Sequence, residues 1–309
     1  MTPDPSPHID RETATAIVRD HVDRGLGVVD IRPLHGGMIN RVEQWFTDGE
    51  PASLVAKITE ESDHRDFRDE AAALAWYRRN TQFPVPAPYA CVSDERYFRG
   101  TVLLMETLAG RHLGEARLSA EGMRRVQLQL AGHVADLHRH KQPTYGSALS
   151  NAPGFTSWLD CFGPMIERNL HRAAPRLDDR TRQIAGRLIR ELDGWLPEFG
   201  APTLVHGDLW SANIMVDDAD PDQPTITGFI DGTAAFCEVE SELAYLLVFQ
   251  TADETFFREY RRRHPIREGF DRRCRVYWLN TMLIHVWLFG DSYLPRCRRF
   301  AREIERLSS

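Results

Sequence analysis

A carboxylate, an amide and a second carboxylate follow one another in the second half of the chain, at Asp208, Asn213 and Asp231. Asp208 and Asn213 belong to the segment VHGDLWSANI, residues 205–214, and Asp231 comes eighteen positions after Asn213, directly before a glycine. Phosphoryl transfer needs such a set. One carboxylate orients and deprotonates the attacking hydroxyl, while an amide oxygen and another carboxylate hold Mg²⁺ against the phosphates. Each residue taken alone could be a turn former, but their order and spacing together favour this chemistry.

Lys57 and Glu70 are the residues expected to serve the nucleotide. Lys57 ends a strand-like segment, and Glu70 lies 13 residues later on the helix predicted next. In kinases a lysine contacts the ATP phosphates, and a glutamate on a neighbouring helix holds that lysine. Asp69 and Glu60 remain alternative partners of Lys57 if the register of these elements differs.

Two further segments are candidates for nucleotide contacts. Gly36 and Gly37, with Asn40, lack the spaced glycines of a full phosphate-binding loop and by themselves indicate only a turn. Because a lysine-bearing strand lies downstream, we interpret them as part of a loop that covers the phosphates. Glu106 and Leu108 follow a buried strand, where the carbonyl of the first could accept from adenine and the amide of the second could donate to it. A plain hinge is the alternative for these two residues.

The first third of the chain is rich in strand signals. Asp10 predicts the cap of a helix whose apolar residues recur at helical spacing. β-Branched and apolar runs predict strands, and the pair Asp48-Gly49 predicts a turn between two of them. A helix through residues 67–76 and a proline-rich break at residues 83–88 follow. The predicted strands are residues 28–34, 41–46, 53–58 and 102–106.

Beyond residue 110 the chain becomes strongly helical. Helices are predicted over residues 120–138, 154–173 and 178–196, and again from residue 240 to the end, with a β-rich insert at residues 203–230. A small β-rich part followed by a larger α-rich part indicates an α+β protein with two lobes. We assign residues 1–106 to a nucleotide-binding lobe and residues 107–309 to a catalytic and acceptor-binding lobe.

The segment HGDLWSAN resembles the catalytic loop of the fructosamine (ketosamine) kinase family, a branch of the aminoglycoside and choline phosphotransferase superfamily. The pair Trp210-Ser211 is typical of fructosamine kinases, whereas the aminoglycoside enzymes usually carry a His-Pro-type pair there. The tail is similar to the pattern that closes the family, at residues 257–265, 269–273, 277, 279–280, 289–290 and 293. The resemblance covers nearly the whole chain, from about Leu34 to the end.

This resemblance implies a protein-kinase-like, two-lobed fold and an ATP- and Mg²⁺-dependent kinase that phosphorylates a sugar hydroxyl. By the same resemblance Asp208 is the catalytic base, Asn213 and Asp231 are the Mg²⁺ ligands, and His206 supports the loop. The acceptor is expected to be a cationic ketosamine, such as a fructosamine or a ribulosamine. An aminoglycoside-like amino sugar is the alternative acceptor. A nucleotide-binding pseudokinase scaffold is less favoured, because the base and both metal ligands are present.

The sequence departs from the family pattern at a few positions. Residues 231–240 read DGTAAFCEVE, where the family usually has Asp-Pro-Ala and then a Gly-His-Arg-Glu run. Glu242 stands where the family generally has an aspartate that braces the catalytic loop, and its longer side chain is expected to reach the loop amides. Met38 replaces a cysteine of several relatives. Carboxylates that could bind the acceptor amine are Asp160, Glu167, Asp291 and Glu238.

Bulk properties argue against several other classes of protein. The 309 residues carry a formal net charge of −7, which opposes nucleic acid or an anionic membrane as the main partner. The five cysteines are scattered without a CxxC pair, as is typical of a reducing cytoplasm. The N-terminus lacks signal-peptide features, and the longest apolar run, residues 279–289, is too short to span a bilayer. We therefore expect a cytoplasmic monomer or homodimer, with the arginine-rich stretch 258–275 as a solvated helix face or, alternatively, a local anion site.

Overall fold

The computed structural model describes residues 9–34, 41–59, 65–197 and 200–308. These residues form two compact units. The first contains the described residues up to Arg117 together with Ala212–Thr233, and the second contains Leu118–Ser211 and the described residues from Ala234 onward. A single boundary after residue 106 would assign residues 212–233 to the second part of the chain. The structure groups them with the first unit, because their two strands pair with a strand of that unit.

The first unit is built on a five-stranded antiparallel sheet with the strand order β1-β2-β3-β5-β4. Alternate residues of its strands point into a core of buried apolar side chains, shared with the helix that Asp10 caps by accepting from Thr13 N at 2.8 Å. The predicted strands and this capped helix are thus confirmed, whereas the strand after the proline-rich break was not predicted. The elements are α1 (Arg11–His21), β1 (Val28–Leu34), β2 (Arg41–Thr47), β3 (Ser53–Thr59), α2 (Arg65–Asn80), β4 (Pro88–Val92) and β5 (Thr101–Glu106).

A second, three-stranded sheet completes the first unit. It joins β6 (Arg111–His112), β9 (Ile214–Asp217) and β10 (Thr225–Phe229) in the order β10-β9-β6. Gly110 precedes β6 with a φ of +88°, and a Cβ there would lie 2.0 Å from the carbonyl oxygen of Val216. Only glycine therefore permits the chain to approach β9 this closely.

The second unit is mainly helical and has a small sheet of its own. Its strands β7 (Gly146–Ser147), β8 (Thr203–Val205) and β11 (Ala235–Cys237) pair antiparallel in the order β7-β11-β8. The helices pack around buried aromatic and aliphatic side chains, among them Phe162 and Phe300. They are α3 (Ala120–Leu137), α4 (Trp158–Ala173), α5 (Asp179–Arg190), α6 (Leu192–Trp195), α7 (Val239–Val248), α8 (Glu254–Arg263), α9 (Phe270–Phe289) and α10 (Leu294–Leu307).

Two of the predicted helices differ from the observed ones. The helix expected from residue 154 begins only at Trp158, because Phe155 forms a β-bridge with Tyr145 instead. The helix expected over residues 178–196 divides at Glu191 into α5 and α6. Among the described helices, none combines the length and the apolar character that a membrane crossing requires.

The arginine-rich stretch 258–275 lies on α8, on the first turns of α9 and on the segment between them. Its arginines are matched by carboxylates of the second unit. Arg263 lies 3.3 Å from Glu259, and Arg267 lies 2.9 Å from Glu238. This pairing favours the expected charged helix surface over an anion site.

Candidate active site

Lys57, Glu70 and Asp231 meet in the first unit, and we call them the lysine cluster. Lys57 Nζ lies 2.6 Å from Glu70 Oε1 and also donates to Asp231 Oδ1. The side chain of Lys57 is only 11% exposed, and that of Asp231 is 37% exposed. Lys57 comes from β3, Glu70 from α2 and Asp231 from the segment just after β10, so parts of two sheets and a helix converge on one ammonium group.

The charges of the lysine cluster keep the ammonium protonated. Burial lowers the pKa of Lys57, but the two carboxylates outweigh this effect and raise the pKa to about 12. Burial raises the pKa of Glu70, and the negative charge of Asp231 raises it further. Of the alternative partners considered for Lys57, Asp69 is exposed and Glu60 lies outside the described residues.

Asn213 and Asp231 are brought to the same end of one pair of strands. Phe229 of β10 pairs with Ile214 of β9, and Ile230 N donates to the carbonyl oxygen of Asn213 at 3.1 Å. Asp231 has a φ of +63°, a left-handed conformation that aspartate tolerates better than most residues. An amide oxygen and a partly exposed carboxylate are hard oxygen donors of the kind that Mg²⁺ prefers, with water and phosphate oxygens to complete its shell. The donor set thus fits the expected metal.

Asp208 lies in the second unit, in the loop that follows β8. Gly207, directly before it, has a φ of +91°, and its N–H donates to Glu242 Oε1 at 2.8 Å. Asp208 N donates to His206 Nδ1 at 3.3 Å, and Tyr245 OH donates to Asp208 Oδ1. The carboxylate is half-buried. The backbone of Asp208 is thus held by His206 and its carboxylate by Tyr245, while the side chain stays partly exposed.

Glu242 extends this support into the core of the second unit. Its other oxygen, Oε2, lies 2.9 Å from His138 Nε2, and His138 Nδ1 lies 2.8 Å from Tyr260 OH. The side chains of Glu242 and His138 are 1% and 0% exposed. The expectation that Glu242 reaches a loop amide is confirmed, and the contacts of His206 are those of a residue that supports the loop.

An aromatic cluster continues from Tyr245, and nothing in the sequence analysis pointed to it. The ring centroid of Phe249 lies 4.8 Å from that of Tyr245, 5.1 Å from that of His285 and 6.4 Å from that of Trp210. His285 also lies 4.8 Å from Tyr293, and the pKa of its imidazole is lowered by burial. The spacing of four between residues 245 and 249, and between residues 285, 289 and 293, was the available signal.

The remaining predicted nucleotide residues are only partly described. Glu106 ends β5, where its N–H donates to the carbonyl oxygen of Ala87 at 2.8 Å and its Oε2 accepts from Ala87 N at 2.9 Å. Leu108 packs against Gly228, at which a Cβ would come within 2.7 Å of Leu108 Cδ1. Contact of residues 106 and 108 with adenine stays a prediction. Gly36, Gly37 and Asn40 lie outside the described residues, as does Met38.

A model of the fructosamine kinase family matches residues 11–306. The chain belongs to this family. A Lactiplantibacillus plantarum protein named "Probable ketoamine kinase" is 34% identical over 285 residues, which cover 88% of this chain and 93% of that one. The mouse ketosamine-3-kinase is 24% identical over 302 residues, covering 88% of this chain and 93% of the relative. A chloroplastic protein-ribulosamine 3-kinase of Arabidopsis thaliana is also 24% identical, with 86% of this chain and 79% of the relative covered.

Solved structures show that this member of the fructosamine kinase family has a protein-kinase-like fold. A candidate fructosamine-3-kinase of Thermobifida fusca matches with a TM-score of 0.73 at 23% identity, covering 94% of this chain and 98% of the other. The aminoglycoside phosphotransferase APH(4)-Ia, in a ternary complex with AMP-PNP and hygromycin B, matches with a TM-score of 0.68 at 20% identity and the same coverage. The α+β, kinase-like fold expected from the sequence is thereby confirmed.

The four carboxylates considered as contacts of an acceptor amine differ in burial and in their partners. Glu238 is 1% exposed, accepts from Gly200 N at 2.5 Å and pairs with Arg267, so this candidate lies in the interior and is engaged there. Asp291 lies 3.1 Å from Arg176 in an exposed ion pair. Asp160 and Glu167 are exposed on α4.

Proposed function

We propose that this protein is an ATP-dependent kinase that phosphorylates a hydroxyl group of a ketosamine, with Mg²⁺ as the metal. The observation that carries the proposal is the lysine cluster, in which Asp231 meets Lys57 and Glu70 although it lies 174 positions after Lys57 in the sequence. A buried ammonium group flanked by two carboxylates is suited to a ligand that brings both phosphates and a divalent cation. Membership of the fructosamine kinase family supports a kinase function for this cluster.

In this proposal the first unit provides the groups for the nucleotide. Lys57 neutralises phosphate oxygens of ATP, and Glu70 keeps its ammonium group in position. Asn213 and Asp231 would hold Mg²⁺ through their oxygens. The metal supplies positive charge against the phosphates when it is bound. Gly36, Gly37 and Asn40 remain proposed contacts of the phosphates, and Glu106 and Leu108 remain proposed contacts of adenine.

The second unit provides the base. Asp208 accepts the proton of the acceptor hydroxyl while the hydroxyl oxygen forms a bond to the terminal phosphorus of ATP. The bond from that phosphorus to the bridging oxygen breaks, and ADP leaves with the bonding electrons. Because the backbone N–H of Asp208 is bound to the imidazole of His206 and its carboxylate accepts from the phenol of Tyr245, the carboxylate needs little reorganisation at the moment of transfer.

The proposed acceptor is a cationic sugar conjugate. Several curated relatives are named as ketosamine or ribulosamine kinases. The amine of such a compound is protonated near neutral pH, and the half-exposed aromatic cluster beside Asp208 offers π faces to a cation or to the apolar face of a sugar. A neutral hexose could use only the contact between its apolar face and the aromatic rings.

An amino sugar of the aminoglycoside type is the second candidate acceptor. The similar fold of a phosphotransferase solved with hygromycin B favours it, as does the atypical segment at residues 232–240.

We place the enzyme in the cytoplasm, because its five cysteines are all free thiols.

A coupled assay of ADP release tests the proposal. Fructoselysine, ribuloselysine, free fructose and one aminoglycoside are compared under the same conditions, with Asp208→Ala as the inactive control. We expect the highest kcat/KM for one of the two ketosamines. The proposal fails if free fructose performs as well as the amines or if the control retains the activity.

A further inference from the structure

Helix α10 brings an arginine to the aromatic cluster beside the proposed base. Arg296 lies in the first turn of this helix, and its guanidinium is 5.7 Å from the ring centroid of Phe249. Its Nη2 donates to the carbonyl oxygen of Val248, at the C-terminal end of α7. Arg296 is half-buried, so part of the residue remains accessible to a ligand.

Arg296 differs from its neighbours on α10 in having no acidic partner. Arg298 lies 2.7 Å from Asp178, and Arg299 lies 3.5 Å from Glu303. In the part of the chain that the structure describes, no carboxylate forms an ion pair with Arg296. The first turn of α10 contains no acidic residue either. The arginine thus adds its charge to the positive end of the helix dipole.

This position makes the positive charge of Arg296 costly. Burial lowers the pKa of its guanidinium, and the positive charge of Arg299 lowers it further. His285, which packs on Phe249, adds no charge near neutral pH, because burial lowers the pKa of its imidazole as well. An anion bound to Arg296 would offset this cost by direct pairing with the guanidinium.

The patch around Arg296 extends to the proposed base. Besides the effect of burial, the charge of Asp208 raises the pKa of His285 and that of Arg296 lowers it, so the imidazole lies within range of both charges. Tyr245 joins the two sides as well, since its hydroxyl donates to Asp208 and its ring packs on Phe249 at 4.8 Å between centroids. An acceptor whose hydroxyl meets Asp208 can therefore extend over the aromatic rings toward Arg296.

We propose that Arg296 binds an anionic group, a carboxylate or a phosphate, on the acceptor. The inference rests on the proposed function and narrows its substrate class to ketosamines that carry both charges. The protonated amine lies over the aromatic rings, and the negative group pairs with the guanidinium. A ketosamine of a free amino acid offers a carboxylate, whereas one formed from a sugar phosphate offers a phosphate.

Matched acceptors test the inference. Nα-Acetylfructoselysine and its amide differ only in the carboxylate, and kcat/KM for each is measured with the wild type and with Arg296→Gln. We expect the wild type to prefer the acid about tenfold, the size of one charge-assisted hydrogen bond in a partly exposed site, and Arg296→Gln to lose this preference. The same amide with a phosphate on O6 distinguishes the two sources of negative charge, since a preference for it alone identifies a phosphate site.

Arg299→Gln is the matched control. It also removes one positive charge from α10, and its guanidinium likewise lies over a phenylalanine, 4.6 Å from the ring centroid of Phe300. This arginine already has an acidic partner, so the variant should keep the preference of the wild type. A purely structural role of Arg296 would lower kcat/KM for the acid, the phosphate and the amide alike, and such an equal loss overturns the inference.

Calorimetric titration with the three compounds gives a readout that does not need turnover. The wild type should bind at least one of the two anionic compounds more tightly than the amide, and Arg296→Gln should bind all three alike. If no ketosamine is phosphorylated, the proposed function fails while this titration still decides the role of Arg296. Wild-type affinities for all three compounds within twofold of one another, or an undiminished preference in Arg296→Gln, overturn the inference.

Discussion

Glu242 Oε1 accepts the backbone N–H of Gly207 at 2.8 Å, so a helix residue holds the peptide directly before the proposed base. The resemblance to fructosamine kinases implies an aspartate at this position. The longer glutamate still reaches the loop with this oxygen. Its other oxygen, Oε2, lies 2.9 Å from His138 Nε2 in a fully buried contact. A single carboxylate therefore joins the loop of the base to the core of the second unit.

Removal of this carboxylate should destabilise the second unit. Glu242→Ala leaves the N–H of Gly207 and the imidazole of His138 without their acceptor, and we expect a loss of about 3 kcal/mol in the free energy of unfolding. Urea denaturation measures the change. Glu242→Gln keeps an acceptor oxygen at the same reach and should lose clearly less. The interpretation of Glu242 as a brace is wrong if the alanine variant unfolds at the same urea concentration as the wild type.

Lys57 and Glu70 should act as one unit in ATP use. Lys57→Ala removes the buried ammonium group and should raise KM for ATP or lower kcat, and Glu70→Ala should do so more mildly. Because the two groups lie 2.6 Å apart, their effects should not add in a double-mutant cycle on kcat/KM for ATP. Asp69→Ala, an exposed carboxylate on the same helix, is the control and should behave as the wild type. Strict additivity would contradict a functional pair.

Asp231 should link nucleotide affinity to Mg²⁺. Asp231→Ala removes one of the two proposed metal ligands, so Mg²⁺ should enhance ATP binding less in the variant than in the wild type. Calorimetric titration with and without Mg²⁺ measures both affinities. Asp222→Ala changes an exposed carboxylate between β9 and β10 and should retain the full Mg²⁺ effect. If Mg²⁺ enhances binding equally in all three proteins, Asp231 does not bind the metal.

Asp208 should be needed for turnover and dispensable for nucleotide binding. Loss of a positioned base costs roughly 10² to 10⁴ in rate, and the residue lies in the second unit, whereas the groups proposed for ATP lie in the first. We expect Asp208→Ala to bind ATP with near wild-type affinity and to turn over at less than a tenth of the wild-type rate. Greater residual turnover would remove Asp208 from the role of base.

Local signals predicted the elements well, and long-range pairing was the part they missed. The strands of the first sheet follow from alternation of apolar residues, and α1 follows from its capping aspartate. Strands as short as β6 and β7 have only two residues each, too few for any periodicity. The pairing of β9 with β6 depends on Gly110, 104 positions before the strand residue Ile214, and no local pattern specifies it.

The site was predictable where residue type and spacing suffice, as for the meeting of Lys57 with Glu70. Other features depend on the packing of distant segments. The third member of the lysine cluster, Asp231, is 174 positions from Lys57. Glu238 was a candidate contact for the acceptor amine, but the pairing of β11 with β8 carries it into the interior beside Arg267. Tyr245 reads as an ordinary apolar position of a helix, and only the fold shows its contact with Asp208.

Trp210 should contribute to selection of a cationic acceptor. It lies two residues after Asp208, is half-exposed, and has the largest π face of the aromatic cluster beside the base. Phe249 is less suited, because the guanidinium of Arg296 already lies 5.7 Å from its ring centroid. Trp210→Leu keeps apolar bulk but removes the π face. A contact of this kind contributes about 0.5–2 kcal/mol, which corresponds to roughly a 2- to 30-fold loss in kcat/KM.

The loss should fall on the charged acceptor. We expect kcat/KM of Trp210→Leu to decrease for fructoselysine, to change little for free fructose, and to recover in part in Trp210→Phe, which restores an aromatic ring. Trp287→Leu is the control, since Trp287 is 41% exposed on α9 and its ring is covered by Arg172. Steady-state kinetics with both sugars measure the ratio. An equal decrease for fructoselysine and fructose would indicate that Trp210 shapes the pocket without recognising the amine, because loss of general packing does not discriminate between a charged and a neutral sugar.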